Sequence, residues 1–176
     1  QEQALTMLDS LAVLLRYNLA DAQMPALLGE ELGITEEYLK IQKMRFSSRL
    51  NVDVRHDRKL EQAVTLPRFT LQPLVENAVI HGLEPKEEGG TLILDVRKTG
   101  NYIRIRICDN GMGIEKERLE RIRRRLSEKQ PERIGVWNIW QRLSLYTGRD
   151  DSLKIMSKKG AGTIVSIYLH RGEEDV

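Results

Sequence analysis

The chain has one cysteine in 176 residues, Cys108, which excludes an internal disulfide framework and a zinc site built on several thiolates, and suits a reducing cytosol. Its place inside an apolar run reads as a small core residue rather than a reactive thiol. No uncharged apolar run reaches the roughly 18 residues a membrane-spanning helix needs, and no signal peptide is visible. An excess of one charge is also missing. Lys and Arg number 28 against 26 Asp and Glu, and a net charge of +2 is too small to make nucleic acid or an anionic membrane the main partner. Histidine is scarce: His56, His81 and His170 are the only three, and none lies in residues 1–50. There is no internal repeat or low-complexity tract. What remains, 40% apolar and 31% charged residues, is a globular composition of one or two domains that can bury a real core. The chain opens on Gln1 in what already reads as mid-helix, so the expectation is a piece of something longer.

Residues 1–19 place Leu5, Leu8, Leu11, Ala12, Leu15 and Leu19 on a helical stripe. Met24-Pro25 interrupts it, because the residue before a proline is biased out of the helical region. A second stripe carries Leu28, Leu32, Tyr38, Ile41, Phe46 and Leu50. Its acids Glu30, Glu31, Glu36 and Glu37 come early and Lys43, Arg45 and Arg49 late, as the helix dipole prefers. The pair makes a helical hairpin with apolar surface left over, which expects either a second copy or the following domain as its cover. From residue 51 the texture changes. Residues 51–57 alternate like a strand, and an apolar helix from Pro67 closes at Gly82. Thr91–Arg97 and Asn101–Cys108 read as a strand hairpin around Gly100. Glu115–Lys129 reads as a charged helix whose Arg121, Arg123, Arg124 and Arg125 form a solvated face, in preference to a phosphate site. Ile134–Tyr146 is helical, and Leu153–Ser157 and Thr163–Leu169 form a last strand pair. The order implies an α+β fold: a two-layer α/β sandwich, a mixed sheet with helices on one face, behind a helical hairpin. Domain bounds are expected at 1–50 and 51–176.

Four segments of this order can converge on one ligand. The strand ending in Asp109-Asn110-Gly111-Met112-Gly113 delivers a carboxylate to a glycine hinge, where one acceptor can meet a ligand edge while bare backbone approaches its face. Asn-Gly after a strand is also ordinary turn chemistry. In Glu76-Asn77-Ala78-Val79-Ile80-His81-Gly82, Asn77 and His81 share a helix face at i and i+4, and an Asn amide oxygen suits a magnesium ion that also holds phosphates. The wet side of an ordinary helix is the alternative. Gly135 opens a helix whose amides can meet phosphate, and Gly160-Ala161-Gly162-Thr163 turns into a strand with a hydroxyl at its start.

The string Leu71-Gln72-Pro73-Leu74-Val75-Glu76-Asn77-Ala78 with His81-Gly82, then Asp109-Asn110-Gly111-Met112-Gly113, Asn138 with Arg142-Leu143, and Gly162-Thr163 resembles the catalytic ATP-binding domain of sensor histidine kinases. Leu14-Leu15-Arg16-Tyr17 and Tyr38-Leu39 through Arg45-Phe46 are similar to the helical segment of the LytS/YesM-type subgroup. The resemblance covers nearly the whole chain. It implies a Bergerat (GHKL) ATP-binding fold with ATP and Mg2+, in which Asn77 is the metal ligand and Glu76 its catalytic neighbour. It assigns Asp109 to adenine, with Gly111 and Gly113 lining the base, residues 115–133 to a mobile lid and Gly135 to phosphate. Thr163 would support the adenine end, and His81 would lie near the phosphates. The implied function is transfer of the ATP γ-phosphate to a histidine and on to a response-regulator aspartate, in a homodimer joined through residues 1–50. The implied location is the cytoplasmic portion of a bacterial inner- or plasma-membrane sensor, reaching the membrane only through segments upstream; no nucleic acid is implied.

Two departures stand out. The third glycine box, usually Gly-x-Gly, reads Arg133-Ile134-Gly135, which removes φ freedom and alters lid closure or phosphate binding unless Arg133 compensates with charge. No histidine lies in residues 1–50, so the phosphoacceptor is expected just upstream and this chain is expected to bind Mg-ATP without phosphorylating itself. The rival readings are another ATPase of the same superfamily, which lacks the Leu-Leu-Arg-Tyr prelude, and a non-catalytic dimeric nucleotide-binding module with a decayed site.

Overall fold

A computed structural model describes residues 2–19, 21, 24–129 and 135–170. Two helices lead, α1 (Glu2–Asn18) and α2 (Leu28–Phe46). They pack through Leu14, Tyr17 and a hydrogen bond from the buried Ser10 hydroxyl to Glu37 at 2.7 Å. Glu30 reaches back to the Leu27 amide at 2.9 Å, an acid at the helix start where orphan N–H groups and the dipole favour it. The two helices then differ. Leu28, Leu32, Ile34, Tyr38 and Leu39 of α2 belong to the main core, whereas Leu5, Leu8, Leu11 and Leu15 of α1, and Leu19 just after it, stay exposed.

The rest is a five-stranded sheet covered on one face by helices. Its strands are β2 (Leu50–Arg55), β4 (Gly90–Thr99), β5 (Tyr102–Asp109), β6 (Leu153–Lys158) and β7 (Gly162–His170), in the order β2-β4-β5-β7-β6. The β2–β4 pair is parallel and the others antiparallel. A small two-stranded ribbon, β1 (Ala26–Leu27) with β3 (Thr65–Leu66), ties the start of α2 to the segment after α3 (Arg58–Ala63). On the central strand Ile103, Ile105, Ile107 and Asp109 point inward, and Arg104, Arg106 and Cys108 outward, the period of two that puts alternate side chains on opposite faces. The inward face meets α4 (Leu71–Asn77), a π-helical turn (Ala78–Leu83) that continues it, and α6 (Gly135–Thr147); α5 (Lys116–Ser127) lies against β6. The architecture is the two-layer mixed sheet with a helical prelude that the residue order implies.

Some details differ from the sequence reading. The helix expected from Pro67 starts at Leu71, because residues 67–70 form a separate turn. Cys108 is half-buried on the outer face rather than in the core; burial raises its thiol above the usual range, which keeps it protonated. Arg123 is not merely solvated: its Nε and Nη2 both donate to the Ile155 carbonyl, at 3.1 and 2.7 Å, on the edge strand β6. Among the described residues no helix is long and apolar enough to cross a membrane.

Candidate nucleotide site

A cavity of about 270 Å³ opens between α4, the π turn, the ends of β5 and β7, and helices α5 and α6. Asn77, His81, Asp109, Gly113, Gly135 and Thr163 all line it, so the structure brings together residues from four separate stretches of chain. Leu74, Ile107, Ile122, Ile155 and Val165 supply its apolar walls. An apolar cleft with a few convergent polar groups is the usual form of a small-molecule site.

Asp109 stands at one end, 8% exposed. Its Oδ1 accepts the Gly111 amide at 2.9 Å. Burial raises its carboxyl above the ordinary range, and the backbone amides of Gly111 and Thr163 act the other way by bonding to the charged form. A buried carboxylate held by one amide just past its own strand and one on the neighbouring strand keeps acceptor capacity for a donor in the cavity. The glycines around it are there because space is missing. A Cβ on Gly111 would collide with the Gly82 backbone, and Gly113, at φ +66, would place one on the Lys158 carbonyl. The Met112 amide donates to Gly82 at 2.8 Å and the Gly160 amide to Met112 at 2.7 Å, closing the hinge onto both neighbours.

Thr163 pairs with Asp109 across the β5–β7 ladder. Its hydroxyl lies 2.9 Å from Ser157 Oγ, which already donates to the Gly162 carbonyl at 2.8 Å and accepts from the Ile114 amide at 2.9 Å. Thr163 is therefore the donor to Ser157, and its oxygen lone pairs are left for the cavity. From α4 and the π turn, half-buried Asn77 and exposed His81 also reach the lining. The start of α6 lies close by: a Cβ on Gly135 would stand 3.7 Å from Asn77 Nδ2. A 13-residue helix beginning there points amide donors and the positive end of its dipole at that part of the cavity.

Two named residues do not line the cavity. Gly111 supports its floor, as above. Glu76 lies on the side of α2, where its charge adds to burial in raising the Tyr38 phenol. Arg133 and Ile134 of the third box, and with them the end of the expected lid, lie outside the described residues. Arg118 is the lining residue that sequence reasoning missed. It sits four positions before Ile122, also in the lining, so the α5 stripe that reaches the cavity was the readable signal.

Comparison with known proteins decides the family. Residues 63–173 match the family model described as histidine kinase-, DNA gyrase B- and HSP90-like ATPase, and residues 1–50 match that of histidine kinase. The chain belongs to the histidine-kinase-type ATPases. YwpD of Bacillus subtilis is 40% identical over 144 residues, 81% of this chain and 49% of that protein. The sensor protein kinase HptS of Staphylococcus aureus is 29% identical over 177 residues, 98% of this chain and 34% of that protein. The chain thus spans about half the length of one of these relatives and a third of the other. Among solved structures, the histidine kinase domain of an Erythrobacter litoralis blue-light-activated histidine kinase shares the fold at TM-score 0.58 and 18% identity, covering 96% of this chain and 79% of that one. The catalytic domain of the histidine kinase ThkA does so at TM-score 0.58 and 13% identity, covering 84% of this chain and 95% of that one. The fold is that of histidine-kinase ATPase domains.

Proposed function

We propose that this histidine-kinase-type ATPase chain binds Mg-ATP in the cavity between Asp109 and Asn77, and serves in the whole protein as the part that delivers the γ-phosphoryl group to a histidine. The single observation that carries this reading is the set of polar groups the cavity collects. A buried acceptor, Asp109, and an amide side chain beside a helix N-terminus, Asn77 with Gly135, line the same cavity, and the reading gives the first to the base end and the second to the phosphate end. Adenine offers an exocyclic amine to an acceptor; triphosphate seeks N–H donors and cations.

The residues fit a magnesium ion held mainly by its ligand. Among the described residues no three His, Cys, Asp or Glu side chains form a metal cluster, and magnesium in nucleotide sites keeps several waters while taking one or two protein oxygens. Asn77 is the oxygen donor this chain offers. When bound, the ion offsets triphosphate charge. Arg118 and His81, also in the lining, add donors for phosphate, and Thr163 with Asp109 orients the base. The reading gives Glu76 the role of orienting or deprotonating the imidazole, supported by the action of its charge on Tyr38 of the helical segment. The γ-phosphorus–oxygen bond breaks toward ADP as the imidazole nitrogen bonds phosphorus, and the phosphoryl group then passes to an aspartate of a response regulator. Residues 1–50 carry no histidine, so the acceptor is supplied from elsewhere in the whole protein. The segment 1–50 is the dimerisation part, residues 51–176 the ATP-binding domain, and the intact protein a membrane-associated sensor.

A thermal-shift titration with ADP, with and without magnesium, tests the reading. Saturating ligand at about 100 times Kd adds roughly 2.7 kcal/mol to stability. Asn77→Ala is expected to lose the magnesium-dependent part of that shift and keep the rest. No shift in the wild-type chain would turn the reading toward the non-catalytic module.

A further inference from the structure

We infer that Glu31 is a positioning residue for the nucleotide site, and that through Tyr17 it makes the seating of α4 depend on the seating of α1. The inference rests on the reading of Asn77 as the phosphate end of the cavity.

The Glu31 side chain lies between the helical prelude and the turn before α4, in a residue only 1% exposed. Its Oε1 accepts the Phe69 amide at 2.7 Å and the Tyr17 hydroxyl; its Oε2 accepts the Thr70 and Leu71 amides at 2.9 and 2.8 Å. Three consecutive amides at the entry to α4 are thus satisfied by a carboxylate 38 to 40 positions away in sequence. The local residue that could have served instead does not. Thr70, the N-cap, makes no cap bond, because its hydroxyl donates to the Pro67 carbonyl at 2.6 Å. Sequence reading saw Glu31 only as an acid near a helix start; its burial assigns it the cap of a different helix.

The same turn is held from the other side. Arg142 of α6 donates to the Arg68 and Phe69 carbonyls at 2.6 and 2.7 Å. Phe69 has φ +59, a conformation that a bulky residue adopts only where its surroundings impose it. Glu31 and Arg142 together do so. The turn therefore has few alternative arrangements while both are in place.

Tyr17 adds the link to α1. Its ring stands edge-on to Phe69, with centroids 5.2 Å apart, and the Arg68 guanidinium sits 5.0 Å from its centroid. A shift of α1 takes the hydroxyl from Glu31, and a dry carboxylate that loses a donor must find another or move. Its remaining bonds run to the three amides, so its movement is passed to the turn. Six residues beyond Leu71 the same helix ends at Asn77, and the π turn that follows places Gly82 under Gly111.

The test uses the whole chain and two substitutions. Glu31→Gln keeps the volume but turns an N–H2 toward N–H donors, while Tyr17→Phe keeps the ring and removes one donor. Two quantities are read: amide hydrogen exchange across residues 69–82, and affinity for Mg-ADP against adenosine. Exchange across 69–82 is expected to quicken about tenfold in Glu31→Gln and less in Tyr17→Phe, with the 102–109 strand unchanged. Mg-ADP affinity is expected to fall about tenfold while adenosine, which reaches only the Asp109 end, stays within about twofold. Unchanged exchange across 69–82 in both variants overturns the inference, and so does an equal loss of both ligands, which is the mark of a plain stability residue. A wild-type chain that binds neither ligand removes the proposed function, and the exchange result still decides the role of Glu31. Should Glu31→Gln fail to fold, Tyr17→Phe carries both measurements.

Discussion

Gly111 lies so close to Gly82 that a Cβ on it would fall on the Gly82 carbonyl. This contact joins the strand that carries Asp109 to the turn that follows Asn77, so the two ends of the cavity share one floor. Gly111→Ala forces these backbones apart. Overpacking of this kind costs about 1 to 3 kcal/mol. The variant is expected to lose that much stability in chemical denaturation and to lose measurable Mg-ADP binding in calorimetry; full binding would show that the floor is pliable.

Asp109→Asn removes the charged acceptor with little change in shape. Loss of one charge-assisted bond in a dry site is worth about 1.5 to 3 kcal/mol, so ADP affinity should fall at least about tenfold. Preference for ADP over inosine diphosphate, which lacks the exocyclic amine, should shrink with it. Equal preference in wild type and variant would move the adenine end elsewhere.

The same residue sets a dependence on pH. Burial raises the Asp109 carboxyl in the folded chain above its unfolded value. A group shifted this way contributes stability that is fully present below the unfolded pKa and is lost as pH rises through the folded one. Denaturation of wild type and Asp109→Asn in parallel, from pH 3 to pH 7 (about the carboxylate range and above), should show the difference moving against the wild type as pH rises, then levelling. A difference that moves the other way would mean that the amides outweigh burial.

Arg123 clamps α5 to the edge strand through two N–H groups on one carbonyl, that of Ile155. Arg123→Ala should cost about 1 kcal/mol. Because α5 carries Arg118 and Ile122 into the cavity wall, it should also speed ADP release in stopped-flow displacement. A slower release would rule out the clamp as a support for the closed wall.

The exposed leucines of α1 predict association. Leu8 and Leu15, at 62% and 64% exposure, lie on one face two turns apart. Each leucine covered in a dimer contributes about 1.5 kcal/mol or more, so Leu8→Gln with Leu15→Gln should weaken dimerisation at least a hundredfold. Sedimentation of the wild-type chain as a monomer at high concentration would exclude this face as the dimer contact.

Much of this was legible before the structure. The Asp109 strand was readable because Tyr102 to Cys108 alternates, and the α4 helix because Leu71, Leu74, Val75, Ala78 and Val79 keep helical spacing. That Asn77, Asp109, Gly135 and Thr163 meet followed from their order and the family likeness. Three features were not legible, each for a physical reason. The β1 and β3 strands are two residues long, and their pairing exists only through tertiary contact. The π turn needs one extra residue per hydrogen-bonded ring, which leaves no mark in apolar spacing. The burial of Glu31 depends on amides supplied some forty residues later, so its local sequence shows only an ordinary helix-start acid.

Both tryptophans of the chain, Trp137 and Trp140, lie on α6, within two turns of Gly135 at the cavity edge. Their rings sit 4.8 Å apart at 33°, and the Trp140 indole N–H donates to the Asp150 carbonyl at 3.0 Å. The tryptophan emission of this chain therefore originates from a single indole pair, mounted on the helix whose first residues line the cavity. Unlabelled protein thus carries an optical reporter beside the cavity, and a third tryptophan placed on α1 would add one for the helical prelude against a known background.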